Sequence, residues 1–205
     1  RLPEAIDNKL LCPFQYFGVS DFVDLSELKW TRGGYEVSEL ENVYVLDTEK
    51  AKRRAQDIIT NTIKYVDDIE NVKALGFCVS IKHAEFMANE FNNAGIPSIA
   101  LTGNSNDEIR KNAAKNLTDG NIKVIFTVDL FNEGVDIPQI NTILFLRPTE
   151  SLTIFLQQLG RGLRISEGKE CLTVLDFIGQ SNKNYKFADK YRACLLYTSP
   201  SPRDA

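Results

Sequence analysis

Ile122-Lys123-Val124-Ile125-Phe126-Thr127-Val128 is a near-continuous apolar run of strand length. Successive side chains of a strand point to opposite faces, so a strand that is apolar throughout needs cover on both, as inside a parallel sheet. The same beat repeats outward from this run. Upstream lie Ala74 to Val79, a helical stretch from Lys82 to Ala94, Pro97 to Leu101, and a helical stretch from Asp107 to Leu117. Downstream lie Thr142 to Leu146, a helix from about Ser151, and Cys171 to Phe177. Such alternation predicts an α/β fold, a parallel sheet with helices on both faces. Ser105-Asn106-Asp107-Glu108 reads as a capping box that starts the second of these helices. A longer helix, Thr48 to Val66, precedes the series: Ala51, Ala55, Ile58, Ile59, Thr62 and Val66 recur at the spacing of one buried face, with Thr48 as the expected N-cap.

The two ends lack this rhythm. Residues 1 to 45 hold a short strand-like run, Gln15 to Val19, and a loop, Trp30-Thr31-Arg32-Gly33-Gly34-Tyr35, and are expected to be a mixed connector. Trp30 and Tyr35 are either packing aromatics, the favoured reading, or base-stacking groups. The main domain is expected over 46–193. From about Cys194 the proline- and serine-rich tail loses apolar periodicity and resembles translated sequencing-adapter sequence, so 194–205 is expected to be non-native and stands outside the fold reasoning.

Composition narrows the function. A chain of 205 residues has room for one main domain and an extension. No apolar run approaches the roughly 20 residues of a membrane helix, so no membrane association is expected. A formal charge of -4 argues against holding nucleic acid by bulk electrostatics, and any such binding must use a local groove. Cys12, Cys78, Cys171 and Cys194 form no CxxC pair, and His83 has no cysteine neighbour, so no metal site is expected. Cys78 and Cys171 sit inside apolar runs and read as small buried hydrophobes in a reducing cytoplasm, and His83 reads as structural.

In parallel sheets ligands bind beyond the carboxyl ends of the strands, which singles out Ser80 to His83, Thr102 to Asn106, Thr127 to Pro138 and Arg147 to Glu150. Beyond them stands Gln157-Gln158-Leu159-Gly160-Arg161-Gly162-Leu163-Arg164. Its two arginines, three apart, can project from one face of a helical turn and offer planar forks that match phosphate oxygens. Two such arginines also fit a solvated basic face. The chain has no G-x-x-x-x-G-K-[ST] phosphate loop: Gly168-Lys169 is followed by Glu170. Gly160-x-Gly162 lacks the third glycine of a dinucleotide fingerprint.

Three ordered stretches carry a resemblance. Val124-Ile125-Phe126-Thr127-Val128-Asp129-Leu130-Phe131-Asn132-Glu133-Gly134-Val135-Asp136-Ile137-Pro138 resembles motif V of superfamily 2 helicases, the arginine stretch resembles motif VI, and Ala74 to Ala84 resembles motif IV. The opening Arg1-Leu2-Pro3-Glu4-Ala5-Ile6 and Pro13-Phe14-Gln15-Tyr16-Phe17-Gly18-Val19 look most like bacterial and phage DEAD/DEAH-type enzymes of restriction and repair, and DNA is expected over RNA. The resemblance implies a RecA-like second motor lobe, a P-loop NTPase fold without its own phosphate loop. It implies ATP with Mg2+ as cofactor, the magnesium held by the first RecA-like lobe of the same protein, and nucleic acid as partner. Arg161 and Arg164 would then be arginine fingers, Gln157 would help place the nucleotide, Gly134 would allow close backbone approach, and Asp136 would accept from ribose hydroxyls. Ser80, Thr102, Gly103 and Thr127 would contact nucleic acid. Taken singly, Gly134 is also an ordinary turn glycine, Asp136 a turn or capping aspartate, and Ser80 a cap for the following helix. Phe131 either supports the motif V loop or touches the strand being moved. Since only the finger side is present, this chain alone is expected to be inactive. The alternative is a non-catalytic nucleic-acid or protein-binding adaptor.

Overall fold

In the computed structural model the described residues are 2–129, 136–149, 151–182, 184, 185 and 192. Helix α1 (Leu2–Asp7) leads into β1 (Phe14–Asp24), a hairpin of β2 (Trp30–Thr31) and β3 (Gly34–Tyr35), α2 (Val37–Glu41), and a wide helical turn, Asn42–Leu46. There follow α3 (Thr48–Tyr65), β4 (Ala74–Phe77), α4 (Ile81–Asn93), β5 (Ser98–Leu101), α5 (Asp107–Asp119), β6 (Val124–Thr127), β7 (Thr142–Phe145), α6 (Leu152–Gly160) and β8 (Leu172–Gln180). Six strands form one sheet in the order β1-β8-β7-β4-β6-β5, and every pairing in it is parallel. This is the α/β architecture expected from the strand-helix beat.

The central strands are short and wholly buried, which is why they read as unbroken apolar runs. Alternate residues serve opposite faces. Leu75, Phe77, Ile125, Ile143 and Phe145 pack with Ala113 and Leu117 of α5 and Phe155 and Leu159 of α6. Ala74, Val124, Phe126 and Leu144 pack with Ala55, Ile58 and Ile59 of α3 and Met87 and Phe91 of α4. Connections that move toward the β5 edge cross the α3/α4 face, and those that return cross the other, the pattern a single crossover hand imposes.

The segment expected to be a connector supplies the sheet's edge strand. β1 pairs with β8 from Phe14↔Leu172 to Ser20↔Ile178, then slips to Asp24↔Gln180. Only Phe14, Val19 and Val23 of its side chains are buried, the rest being exposed or intermediate, as suits a strand at the rim of the sheet. At the slip the two backbones meet so closely that a Cβ on Gly179 would collide with the carbonyl oxygen of Val23.

Two caps differ from expectation. The N-cap of α3 is Asp47, whose side chain accepts from the Lys50 N–H, and Thr48 is its first residue. The N-cap of α5 is Asn106, while Ser105 Oγ accepts from the Thr102 N–H at 3.1 Å. Both corrections shift the cap by one residue, because a neighbouring Asp or Asn carbonyl reaches the free N–H groups of the first turn. Trp30 and Tyr35 pack against each other, with ring centroids 5.0 Å apart, over a small third core built from Val23, Leu25, Leu40 and Tyr44.

Candidate functional site

β4 sends α4 to one face while its neighbour β7 sends α6 to the other, so the carboxyl edge of the sheet opens beside β4. A cavity of about 400 Å³ lies there, lined by Val79, Ser80 and Ile81 after β4, Thr102 and Gly103 after β5, Thr127 to Asp129 after β6, and Val37 from α2. All four residues expected along a nucleic-acid track therefore line one crevice.

Their side chains are already engaged or enclosed. Ser80 Oγ accepts from the His83 N–H at 3.1 Å and caps α4. Its hydroxyl also bonds the Glu41 carboxylate, the largest cause of that group's lowered pKa, with Lys82 contributing further. Thr102 Oγ1 accepts from the Asn104 N–H at 3.2 Å, a local turn. Thr127 is fully buried, and its Oγ1 has no partner among the described residues.

Behind the crevice lies a buried polar cluster that sequence reasoning did not find. The Arg54 guanidinium donates to Asp21 Oδ2 at 2.7 Å and to the Leu146 carbonyl at 2.8 Å, and lies 3.9 Å over the Tyr44 ring. Tyr44 stacks on His83 at 5.1 Å, and His83 Nδ1 accepts from the Val79 N–H at 3.1 Å. Burial first, then the charges of Arg54 and Arg147, hold the His83 pKa well below its ordinary value, so the ring is neutral and structural. The cluster fixes the ends of β4 and β7. The alternation of apolar residues along α3 hides it, because Arg54 occupies the same face as Ala51 and Ala55.

A second cavity, about 330 Å³, opens beside α6 and is lined by Asp136, Gln157, Gly160, Arg161 and Arg164. It gathers residues from the motif V and motif VI stretches. Past Gly160 the chain tightens: Arg161, Gly162 and Leu163 donate in turn to Gln158, Leu159 and Gly160 at 3.0–3.2 Å. Residues three apart eclipse in such a turn, which puts Arg161 and Arg164 on one side. Gly162 faces the sheet, where a Cβ would strike Leu172 and Ile143, and Leu163 is buried beside it. Packing thus turns the glycine and leucine inward and both arginines outward.

Arg164 Nη1 donates to Asp136 Oδ2 at 2.7 Å, and both side chains are about half exposed. Asp136 is held in place by Ile137 and Ile140, which insert into the core. Of the two adjacent glutamines, Gln157 is exposed at the cavity. Gln158 is buried, and its Oε1 has no partner among the described residues. Gly134 and Phe131 lie outside the described residues. No described helix is long and apolar enough to cross a membrane.

Comparison with known proteins places this arrangement. The chain is 29% identical over 180 residues to the putative ATP-dependent helicase IRC3 of Saccharomyces cerevisiae, covering 87% of this chain and 25% of that protein. It is 28% identical over 201 residues to the type I restriction enzyme EcoAI endonuclease subunit of Escherichia coli, covering 86% and 24%. It spans about a quarter to a third of the length of such relatives. The ATP-dependent type ISP restriction-modification enzyme LlaBIII, solved bound to DNA, superposes with a TM-score of 0.63 at 17% identity, over 95% of this chain and 14% of that one, and so shares the RecA-like fold. Residues 54–166 match the helicase conserved C-terminal domain; the chain belongs to that family, as a superfamily 2 helicase C-terminal lobe.

Proposed function

We propose that the chain is the second motor lobe of an ATP-dependent nucleic-acid helicase or translocase. Arg161 and Arg164 act as arginine fingers on ATP bound with Mg2+ by a first RecA-like lobe. Gln157, Asp136 and Gly134 help hold the nucleotide, and Ser80, Thr102, Gly103 and Thr127 form part of the nucleic-acid track. The observation that carries this reading is the cavity beside α6, where two arginine forks converge with a carboxylate. Guanidinium groups preset around a phosphate stabilise the charge that develops during its transfer. When the lobes close on ATP the fingers engage, and hydrolysis lets them part, so alternating grip advances the strand. DNA is favoured over RNA because restriction enzymes are among the relatives.

The test is single replacement of Arg161 and Arg164 by alanine in the complete motor. Nucleic-acid-stimulated hydrolysis should fall by on the order of 10³ to 10⁵, with nucleotide affinity little changed. Near-normal turnover in both variants would mean that the arginines are only a solvated basic face. The 205-residue chain alone should release no phosphate above background, and turnover by it would overturn the half-site reading.

A further inference from the structure

We propose that Lys169 is a positioning residue for the arginine cavity: its ammonium ties together the two backbone segments that carry Asp136 and Arg164. The inference rests on the reading of that cavity as half of an ATP site. Lys169 Nζ donates to the Gly162 carbonyl at 2.5 Å, the Arg164 carbonyl at 2.7 Å and the Pro138 carbonyl at 3.3 Å. An ammonium has three donors, and here all three meet carbonyl oxygens.

Those carbonyls come from the two sides of the cavity. Gly162 and Arg164 belong to the turn that follows α6, where carbonyls have lost their helical partners and need others. The carbonyl between them, on Leu163, accepts from the Cys12 N–H at 2.8 Å. Three successive carbonyls thus each accept a hydrogen bond, which restrains the Arg164 backbone. Pro138 lies two residues after Asp136, on the segment pinned by Ile137 and Ile140. One cation therefore sets the spacing between the segments whose side chains meet at 2.7 Å.

The local chain presents Lys169 for this task. Its own N–H donates to the Ser166 carbonyl at 3.2 Å across a turn that places Gly168 at φ 76°. The side chain then runs back under the arginine turn. Burial lowers the Lys169 pKa, partly offset by the nearby Cys12 and Cys171. The geometry asks for an ammonium with several donors, which arginine can approximate and methionine cannot.

The test uses Lys169→Met and Lys169→Arg. In the 205-residue chain, Lys169→Met should speed amide hydrogen exchange at Gly162, Leu163 and Cys12, whose N–H groups are bonded in or to this turn, at least tenfold while leaving exchange in β4 and β6 unchanged. Lys169→Arg should restore most of the protection. In the complete motor, Lys169→Met should lower kcat by about 10- to 100-fold with KM for ATP changed far less, since a displacement of about 1 Å costs that much where orientation matters. The same substitution should add little to Arg164→Ala. An Arg164→Ala variant with normal turnover would remove the underlying site reading. A crippled Arg164→Ala motor beside a normal Lys169→Met motor, or exchange that rises across the whole sheet, would instead overturn the role given to Lys169.

Discussion

In the crevice beyond β4, β5 and β6, polar side chains bond to their own local backbone or are enclosed, as Ser80, Thr102 and Thr127 show. In the cavity beside α6, two half-exposed charged groups bond each other across 28 residues of sequence. The difference separates shape from chemistry. The crevice is a rigid edge, set by helix caps and a buried ion pair behind it, and it offers a surface more than free side chains. The cavity carries charges whose partners can be exchanged, because a half-exposed pair contributes only about 0–1 kcal/mol. Under the proposed function, an edge of fixed side chains suits tracking a backbone of repeating units, and exchangeable charge suits a ligand that is bound and released each cycle.

The contrast can be broken most forcefully at its two arginines. Arg54→Met should destabilise the chain by about 3–5 kcal/mol, because it leaves Asp21 charged and buried without its partner, whereas Arg164→Met should cost less than about 1 kcal/mol. Denaturant unfolding of both variants measures this, and equal losses would erase the distinction between scaffold and exchangeable charge.

A smaller effect comes from His83. Its folded pKa lies below the unfolded value, so below about pH 6.5 only the unfolded chain gains the proton. The stability this ring contributes is fully present above that pH and is lost as pH falls, by up to about 1.4 kcal/mol per unit. Unfolding midpoints between pH 7.5 and 5.5 should slope accordingly in the native chain and lose that slope in His83→Gln; identical slopes would place a protonated histidine in the folded core.

The smallest effect sharpens the crevice. Thr127→Val removes a buried hydroxyl without a partner among the described residues, so stability should stay constant or rise by about 1 kcal/mol. Affinity for single-stranded DNA should fall by about 0.5–1.5 kcal/mol, roughly two- to tenfold, if the hydroxyl meets a phosphate when Val128 and Asp129 shift. The salt dependence should stay shallow, matching roughly one to three phosphates. Unchanged binding would leave the track without Thr127.

How far the sequence announced all this depends on where each residue sits. The runs around Val124 to Thr127 and Thr142 to Phe145 were legible because burial on both faces leaves an unbroken apolar signature. β1 was legible only as a short strand-like run, since its exposed flank dilutes the pattern over Phe14–Asp24. Strand-end logic led to Ser80, Thr102 and Thr127, which do share one crevice. The cap reading of Ser80 holds as well, since Ser80 caps α4, but its bond to Glu41 across 39 residues left no mark in the sequence. Arg54 and Asp21 escaped notice because they lie 33 residues apart and meet only through tertiary packing. Lys169 was visible only as part of a failed phosphate loop, because a lysine that serves three carbonyls leaves no mark in spacing.

The pairing of β1 with β8 has a mechanical consequence. The strands run side by side in the same direction, so Phe14 enters at one end of the ladder and Gln180 leaves at the other. Tension drawn between those two residues slides one strand along the other and loads the whole row of hydrogen bonds together. It does not peel them apart singly from one end. The edge strand and its neighbour thus form a shear joint, which under the proposed function suits a lobe that has to transmit load.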